Sequence, residues 1–241
     1  MKPAWVTGKG LWAPGYPDAA AWSSAQPDPL ATPPAASLLP ARLGRRASLL
    51  TRMAAEVLQQ AGCGAGVPTV YATAYGETET LVAILDSVYT DGTCSPARFH
   101  HSVHNTAAGL LSIATGNRAF STTLSAGAET VAMALLEALA FLQQRGGEVV
   151  AVFADETPPA PFGREGFAPA AAALRLSALP VPGATQISLH RAERAESLPQ
   201  RADFARNPIA PALALVEALH LGRGGSFALP GGWALEAGAP C

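Results

Sequence analysis

Residues 148–154 read EVVAVFA, apolar at successive positions rather than alternate ones. A strand of that pattern is stable only where both of its faces are buried, so the sheet that holds it needs cover on each side. The run AAAALRLS at 170–177 repeats the demand, and VPTVYAT at 67–73 is a third buried strand with β-branched and aromatic residues at its centre. Helical spacing lies between them. Leu50, Met53, Ala54, Val57, Leu58 and Ala61 define a helix over 42–61, closed by Gly62. A second helix over 79–89 is expected to bury Leu81, Ile84, Leu85 and Val88. Asn105 suits the N-cap of a helix that runs to Thr115 and stops at Gly116. Residues 119–124 then read as strand and 127–144 as a long helix rich in Ala and Leu. Strands at 4–7, 185–190 and 226–229 and a helix at 209–220 complete the alternation. The fold class is α/β, a mixed sheet with helices on both faces, and 1–241 forms one domain. Within it, 14–40 is an ordered Pro/Gly-rich excursion, and 181–241 either completes the domain or forms an appendage.

Composition narrows the function. The chain is 241 residues long and only 14% charged, with 16 basic and 18 acidic side chains; soluble domains average about 25% charged. A net charge of −2 and a pI near 6.2 argue against nucleic acid as a partner. The longest apolar stretches, 131–142 and 208–221, are interrupted by Glu137 and by Pro211, Glu217 and His220, so no membrane span is expected. Pro3, Gly8, Gly10, Pro14 and Gly15 break up any signal-peptide core, which makes the cytoplasm the expected compartment. Cys63, Cys94 and Cys241 are too few and scattered for a disulfide framework. A surface this short of charge must expose apolar area or cover it with a partner.

Three constellations could carry chemistry. Gly8-x-Gly10 follows the first strand, but Pro14 and Pro17 stand where a dinucleotide-binding helix would begin, so a tight turn out of the strand is the simpler reading and no cofactor is expected. Cys94, His100, His101 and His104 cluster within eleven residues. Their spacing matches no standard zinc pattern, which favours a histidine-rich loop over a metal site. Ser125 lies at a strand-to-helix junction, where a nucleophile would be exposed and a helix N-terminus would support negative charge; it is equally suited to cap the long helix.

Taken in order, several segments resemble the N-terminal half of the β-ketoacyl synthase (condensing enzyme) family. These are Trp5-Val6-Thr7-Gly8-Lys9-Gly10, then Ser95-Pro96 with His104-Asn105-x-Ala107-Ala108-Gly109-x-x-Ser112-Ile113-x-x-Gly116. Leu124-Ser125-Ala126-Gly127 falls where the family has its nucleophile turn, and Pro161-Phe162-Gly163-x-x-Gly166-Phe167-x-Pro169 resembles its later Pro-Phe…Gly-Phe segment. The likeness covers about residues 1–180 and implies a thiolase-like half-domain. Alignment on Gly127 puts Leu124 at the nucleophile cysteine, and leucine cannot attack a thioester. The family's catalytic histidines and lysine belong to a C-terminal half that this chain does not carry in recognisable form.

The resemblance therefore implies a non-catalytic subunit with a degenerate nucleophile turn at Leu124, Ser125 and Gly127. It is similar to the chain-length factors that pair with a full-length ketosynthase in type II polyketide systems, and in particular to shortened synthase-like proteins of aryl polyene and xanthomonadin-type pathways. On that likeness the strand at 119–124 would join a partner's sheet. Phe99, His100, His101, His104, Asn105, Ser121, Thr122 and Thr123 would line the interface or the partner's acyl tunnel, and acyl carrier protein would be met through the complex. A serine-dependent acyltransferase or hydrolase using Ser125, and a homodimeric scaffold, are the alternatives.

Overall fold

The computed structural model describes residues 2–31, 33–62, 64–163, 165–192 and 194–240, with 239 and 240 described through their backbone alone. The strands are β1 (Ala4–Trp12), β2 (Thr69–Ala72), β3 (Ser121–Leu124), β4 (Glu148–Asp155), β5 (Ala170–Ser177), β6 (Thr185–Arg191), β7 (Gly225–Leu229) and β8 (Trp233–Pro240). The helices are α1 (Ala19–Ser23), α2 (Ala41–Gly44), α3 (Leu49–Gln60), α4 (Thr78–Asp91), α5 (Pro96–Phe99), α6 (Thr106–Thr115), α7 (Thr130–Arg145) and α8 (Ala210–His220).

The strands form one mixed sheet in the order β3-β2-β4-β5-β1-β6-β8-β7. β3, β2 and β4 run parallel, and every later pairing is antiparallel. The all-apolar strands sit at its centre. Along β4, Val149, Ala151 and Phe153 enter a core shared with α7 and α8, while Val150, Val152 and Ala154 enter a second core under α3 and α6. β5 divides in the same way, Ala172, Leu174 and Leu176 to one face and Ala171 and Ala173 to the other. Each successive residue is buried because each face has its own helical layer. The α/β class expected from sequence is the one observed.

Two glycines have a different role from the one their spacing suggests. β1 continues through Gly8 and Gly10 to Trp12, with a register shift between Val6 and Gly8, so there is no turn at this point. A Cβ on Gly8 would collide with the carbonyl oxygen of Ala61, and one on Gly10 with that of Val57. The glycines let the backbone of α3 lie directly on the strand. α3 itself begins at Leu49, with the Ser48 hydroxyl accepting the Thr51 N–H at 3.1 Å; the preceding residues form the separate turn α2.

α4 departs further from expectation. Of the four residues assigned to its buried face only Ile84 is covered, whereas Leu81, Leu85 and Val88 are 42%, 44% and 42% exposed and Tyr89 is 87% exposed. The sheet face beneath is already occupied by α3 and α6, so α4 packs chiefly on the short α5 and keeps an uncovered apolar stripe.

The excursion at 14–40 is ordered by one aromatic cluster. Trp22 is buried, its indole N–H donates to Glu217 Oε2 at 3.1 Å, and Tyr16 and Phe204 meet it edge-on. The Arg201 guanidinium lies 3.8 Å over the Trp22 ring, which joins the excursion to α8. β6, β7 and β8 continue the main sheet. β8 was not anticipated, although Gly231 and Gly232, both at positive φ, mark the tight hairpin that starts it. Cys94 is exposed; Cys63 and Cys241 lie outside the described residues.

Gly10→Ala is expected to destabilise the fold by about 1–3 kcal/mol through overpacking against α3. Thermal unfolding checks this, and an unchanged Tm would show that the helix can move off the strand.

Candidate functional site

β3 ends at Leu124, half-buried against the core, with its carbonyl accepting the Thr73 N–H at 3.2 Å. Ser125 follows, exposed, and its hydroxyl donates to the Ala74 carbonyl at 3.0 Å. Ser125 therefore does not cap the long helix. The helix is entered through a short 3₁₀ turn over Gly127–Glu129, with Gly127 at φ +54. The turn is closed by Thr130, whose hydroxyl accepts the Ala126 N–H at 3.1 Å and donates to the Gly127 carbonyl at 2.7 Å. Among the described residues no histidine hydrogen-bonds Ser125.

The outer edge of β3 pairs with nothing among the described residues. Because the Phe120 and Leu124 carbonyls bond to β2, the alternation of the strand turns the peptide groups of Ser121 and Thr123 to the open side. A groove of about 570 Å³ runs along this edge beside α6, lined by Ala108, Gly109 and Ser112 and by His104, Asn105, Ser121, Thr122 and Thr123. The Thr123 and Thr106 hydroxyls are buried without hydrogen-bond partners. Ile113 and Phe120, 68% and 46% exposed, flank the strand. The opposite edge of the sheet is guarded: Glu196 donates its N–H to the Ser226 carbonyl at 2.7 Å and accepts the Ala228 N–H at 2.8 Å.

The residues singled out in the sequence separate into two places. His104 lies against Gly76 and, with Asn105 and 121–123, faces the edge groove. Asn105 immediately precedes α6 as expected, but its side chain makes no capping bond. His101 instead lines a cleft with Arg46 and Arg98, with the His100 ring 5.3 Å away, and Phe99 is exposed outside both. The segment carrying them is not wholly loop, since Ser95 caps the helical turn α5. Among the described residues no three His, Cys, Asp or Glu side chains are grouped closely enough to hold a metal ion. No helix there is long and apolar enough to cross a membrane.

Residues 19–228 match the family of β-ketoacyl synthase N-terminal domains. The chain belongs to that family. Its fold is similar to a solved ketosynthase (ApeO) in complex with its chain length factor (ApeC) from Xenorhabdus doucetiae, with a TM-score of 0.74 and 23% identity over 98% of this chain and 100% of that one. The ishigamide ketosynthase/chain length factor matches with a TM-score of 0.68 and 14% identity over 98% of each chain. A type II polyketide ketosynthase bound to its acyl-carrier protein, AntDE:AntF, matches with a TM-score of 0.61 and 15% identity over 73% of this chain. No curated protein matches the sequence.

In this ketosynthase-like chain the turn at 73–77, beside Ser125, is held by buried carboxylates that the sequence pattern did not single out. Asp155 is fully buried and accepts from the Thr73 hydroxyl at 2.6 Å and from the Ala74 and Tyr75 N–H groups at 3.0 Å. Burial pushes its pKa up to about 6 against the opposing effect of those bonds. Glu156 accepts the Leu50 N–H at 3.2 Å through Oε2, while its buried Oε1 has no partner. Its pKa rises to about 7, first through burial and then through the facing Glu77. Glu77, itself raised by burial, accepts from the Ser48 hydroxyl at 2.8 Å. The signal available in the sequence was an acidic pair placed directly after the most apolar strand.

A carboxyl with a raised folded-state pKa keeps a proton that the unfolded chain has already released. Stability is then full below about pH 4, the unfolded range, and is lost as pH rises through about 6 for Asp155 and about 7 for Glu156. Tm is expected to fall by several degrees between pH 5 and 8. Glu156→Gln, which keeps an acceptor for Leu50, should flatten that slope, and an unaltered slope in the variant would assign it elsewhere.

Proposed function

We propose that this chain is a non-catalytic, chain-length-factor-like subunit that pairs with a full-length β-ketoacyl synthase in type II polyketide-like biosynthesis. The open edge of β3 carries this reading. One edge of the sheet is guarded and the other is bare, uncharged over Ser121–Leu124 and bordered by exposed Ile113 and Phe120. A partner strand would satisfy the outward peptide groups of Ser121 and Thr123. The apolar stripe of α4 and the exposed Phe99 and Val103 add to the surface available to such a partner. A low overall charge of 14% is in keeping with an obligate interface burying more than about 2,000 Å² in total. Chains in two ketosynthase/chain length factor complexes are spanned by this chain over 98–100% of their length, so chains of this size occur in such assemblies. Leu124 offers no nucleophilic atom, and the Ser125 hydroxyl is engaged with Ala74.

Co-expression with a ketosynthase encoded beside it is expected to yield a 1:1 complex. Thr123→Pro removes an outward N–H without breaking the β2 ladder, so it should abolish co-purification while leaving the far-ultraviolet circular dichroism intact. A stable monomer that leaves the ketosynthase unbound would overturn the pairing, and a stable dimer of this chain alone would favour the scaffold. Mass spectrometry after incubation with acyl-carrier-protein thioesters should find Ser125 unmodified; an acyl-Ser125 adduct would replace this reading with acyl transfer.

A further inference from the structure

Cations are scarce in this chain, 16 lysines and arginines in 241 residues, yet Arg42, Arg45, Arg46 and Arg52 all fall within residues 42–52. The connection between α2 and α3 brings Arg46 to a cleft of about 500 Å³, into which α5 and the turn after it deliver Arg98 and His101. α4 forms the facing wall with Thr80 and with Glu79, the one carboxylate in the lining. Neither Arg46 nor Arg98 forms an ion pair among the described residues, where the bridges belong to Arg175, Arg201 and Arg223.

The cleft sets two guanidinium groups against the single carboxylate of Glu79, so it is electropositive. His101 registers the field: partial burial, then the His100 ring and then Arg46 all push its imidazole pKa down. A guanidinium binds phosphate or carboxylate through a planar fork of donors. Two such forks and an imidazole around one cavity exceed what a planar carboxylate can accept, whereas a tetrahedral phosphate presents three oxygens in different directions.

We propose that this cleft binds a phosphate group carried on a small organic molecule, with Arg46 and Arg98 clamping the phosphate and His101 hydrogen-bonding a third oxygen. All the lining residues belong to this chain, so the assignment is tested on the chain by itself. An anion between Arg46 and His101 replaces their repulsion by attraction to both. His101 therefore takes up a proton on binding, which favours binding at lower pH as long as the phosphate stays dianionic, above about pH 6. Glu79 faces the same cavity, and the His100 ring lies 5.3 Å from that of His101. Glu79 opposes the anion.

The test follows the His101 ring by NMR in the full-length, histidine-labelled chain. Probes are inorganic phosphate and glycerol 3-phosphate, each against sodium chloride of equal ionic strength. The His101 titration midpoint should move upward with glycerol 3-phosphate, and Arg46→Gln and Arg98→Gln should each weaken binding by about tenfold, the usual worth of a charge-assisted hydrogen bond. These exposed arginines hold no internal ion pair, so the variants are expected to stay folded. A midpoint equal in phosphate ester and chloride, or an equal response in the double variant, overturns the site. Inorganic phosphate binding as tightly as the ester assigns the cleft to free phosphate and overturns the ester. Loss of co-purification with a ketosynthase, by contrast, would leave these readouts unmoved.

Discussion

The burial of β4 and β5 on both faces governs the rest of the molecule. Strands with no polar face cannot stand at a surface, so each side of the sheet centre must be roofed by helices. α7 and α8 cover one side, and α3 and α6 cover the other. The roof is close-packed where α3 crosses β1, and only Gly8 and Gly10 allow the helix backbone to approach so near. Once α3 and α6 fill their face, α4 has no sheet left to cover, and its apolar stripe turns outward. The parallel trio at one end finishes in β3 with an unpaired edge, while the antiparallel end is closed by Glu196. Two-sided burial at the centre thus leads to exposed apolar surface at one margin.

The same arrangement explains the form of the turn after β3. In this ketosynthase-like domain the turn after β3 keeps the geometry of a helix entrance, with Gly127 at positive φ and Thr130 bridging the turn. It presents Leu124 to the core and engages the Ser125 hydroxyl with a carbonyl. Support comes from beneath, through Asp155 and the residues it holds at 73–75. Three buried carboxyls without a neighbouring cation are costly when ionised, which ties the integrity of this region to pH.

Residue pattern alone established the α/β class, the buried strands, the places of α6, α7 and α8 within a few residues and the end but not the start of α3, because periodicity reports burial directly. It also shows that 124–127 carry no thiol, since that is a fact of covalent structure. Tertiary structure decided the remainder. Whether Leu81, Leu85 and Val88 are covered depends on which helices reached the sheet first, and a stripe at helical spacing reads the same whether it meets a core or solvent. Gly8 and Gly10 read as a turn because glycine tolerates both a turn and close backbone contact, and only the position of α3 distinguishes them. His101 and His104 are neighbours in sequence, yet the turn that separates them sends one to a cationic cleft and the other to the β3 edge. The burial of Asp155 and Glu156 could not be read from their identity, because a carboxylate's environment is set by elements distant in the chain. Apolar pattern is a local property that the sequence states; which surface stays open is a property of the whole packing, and only the fold supplies it.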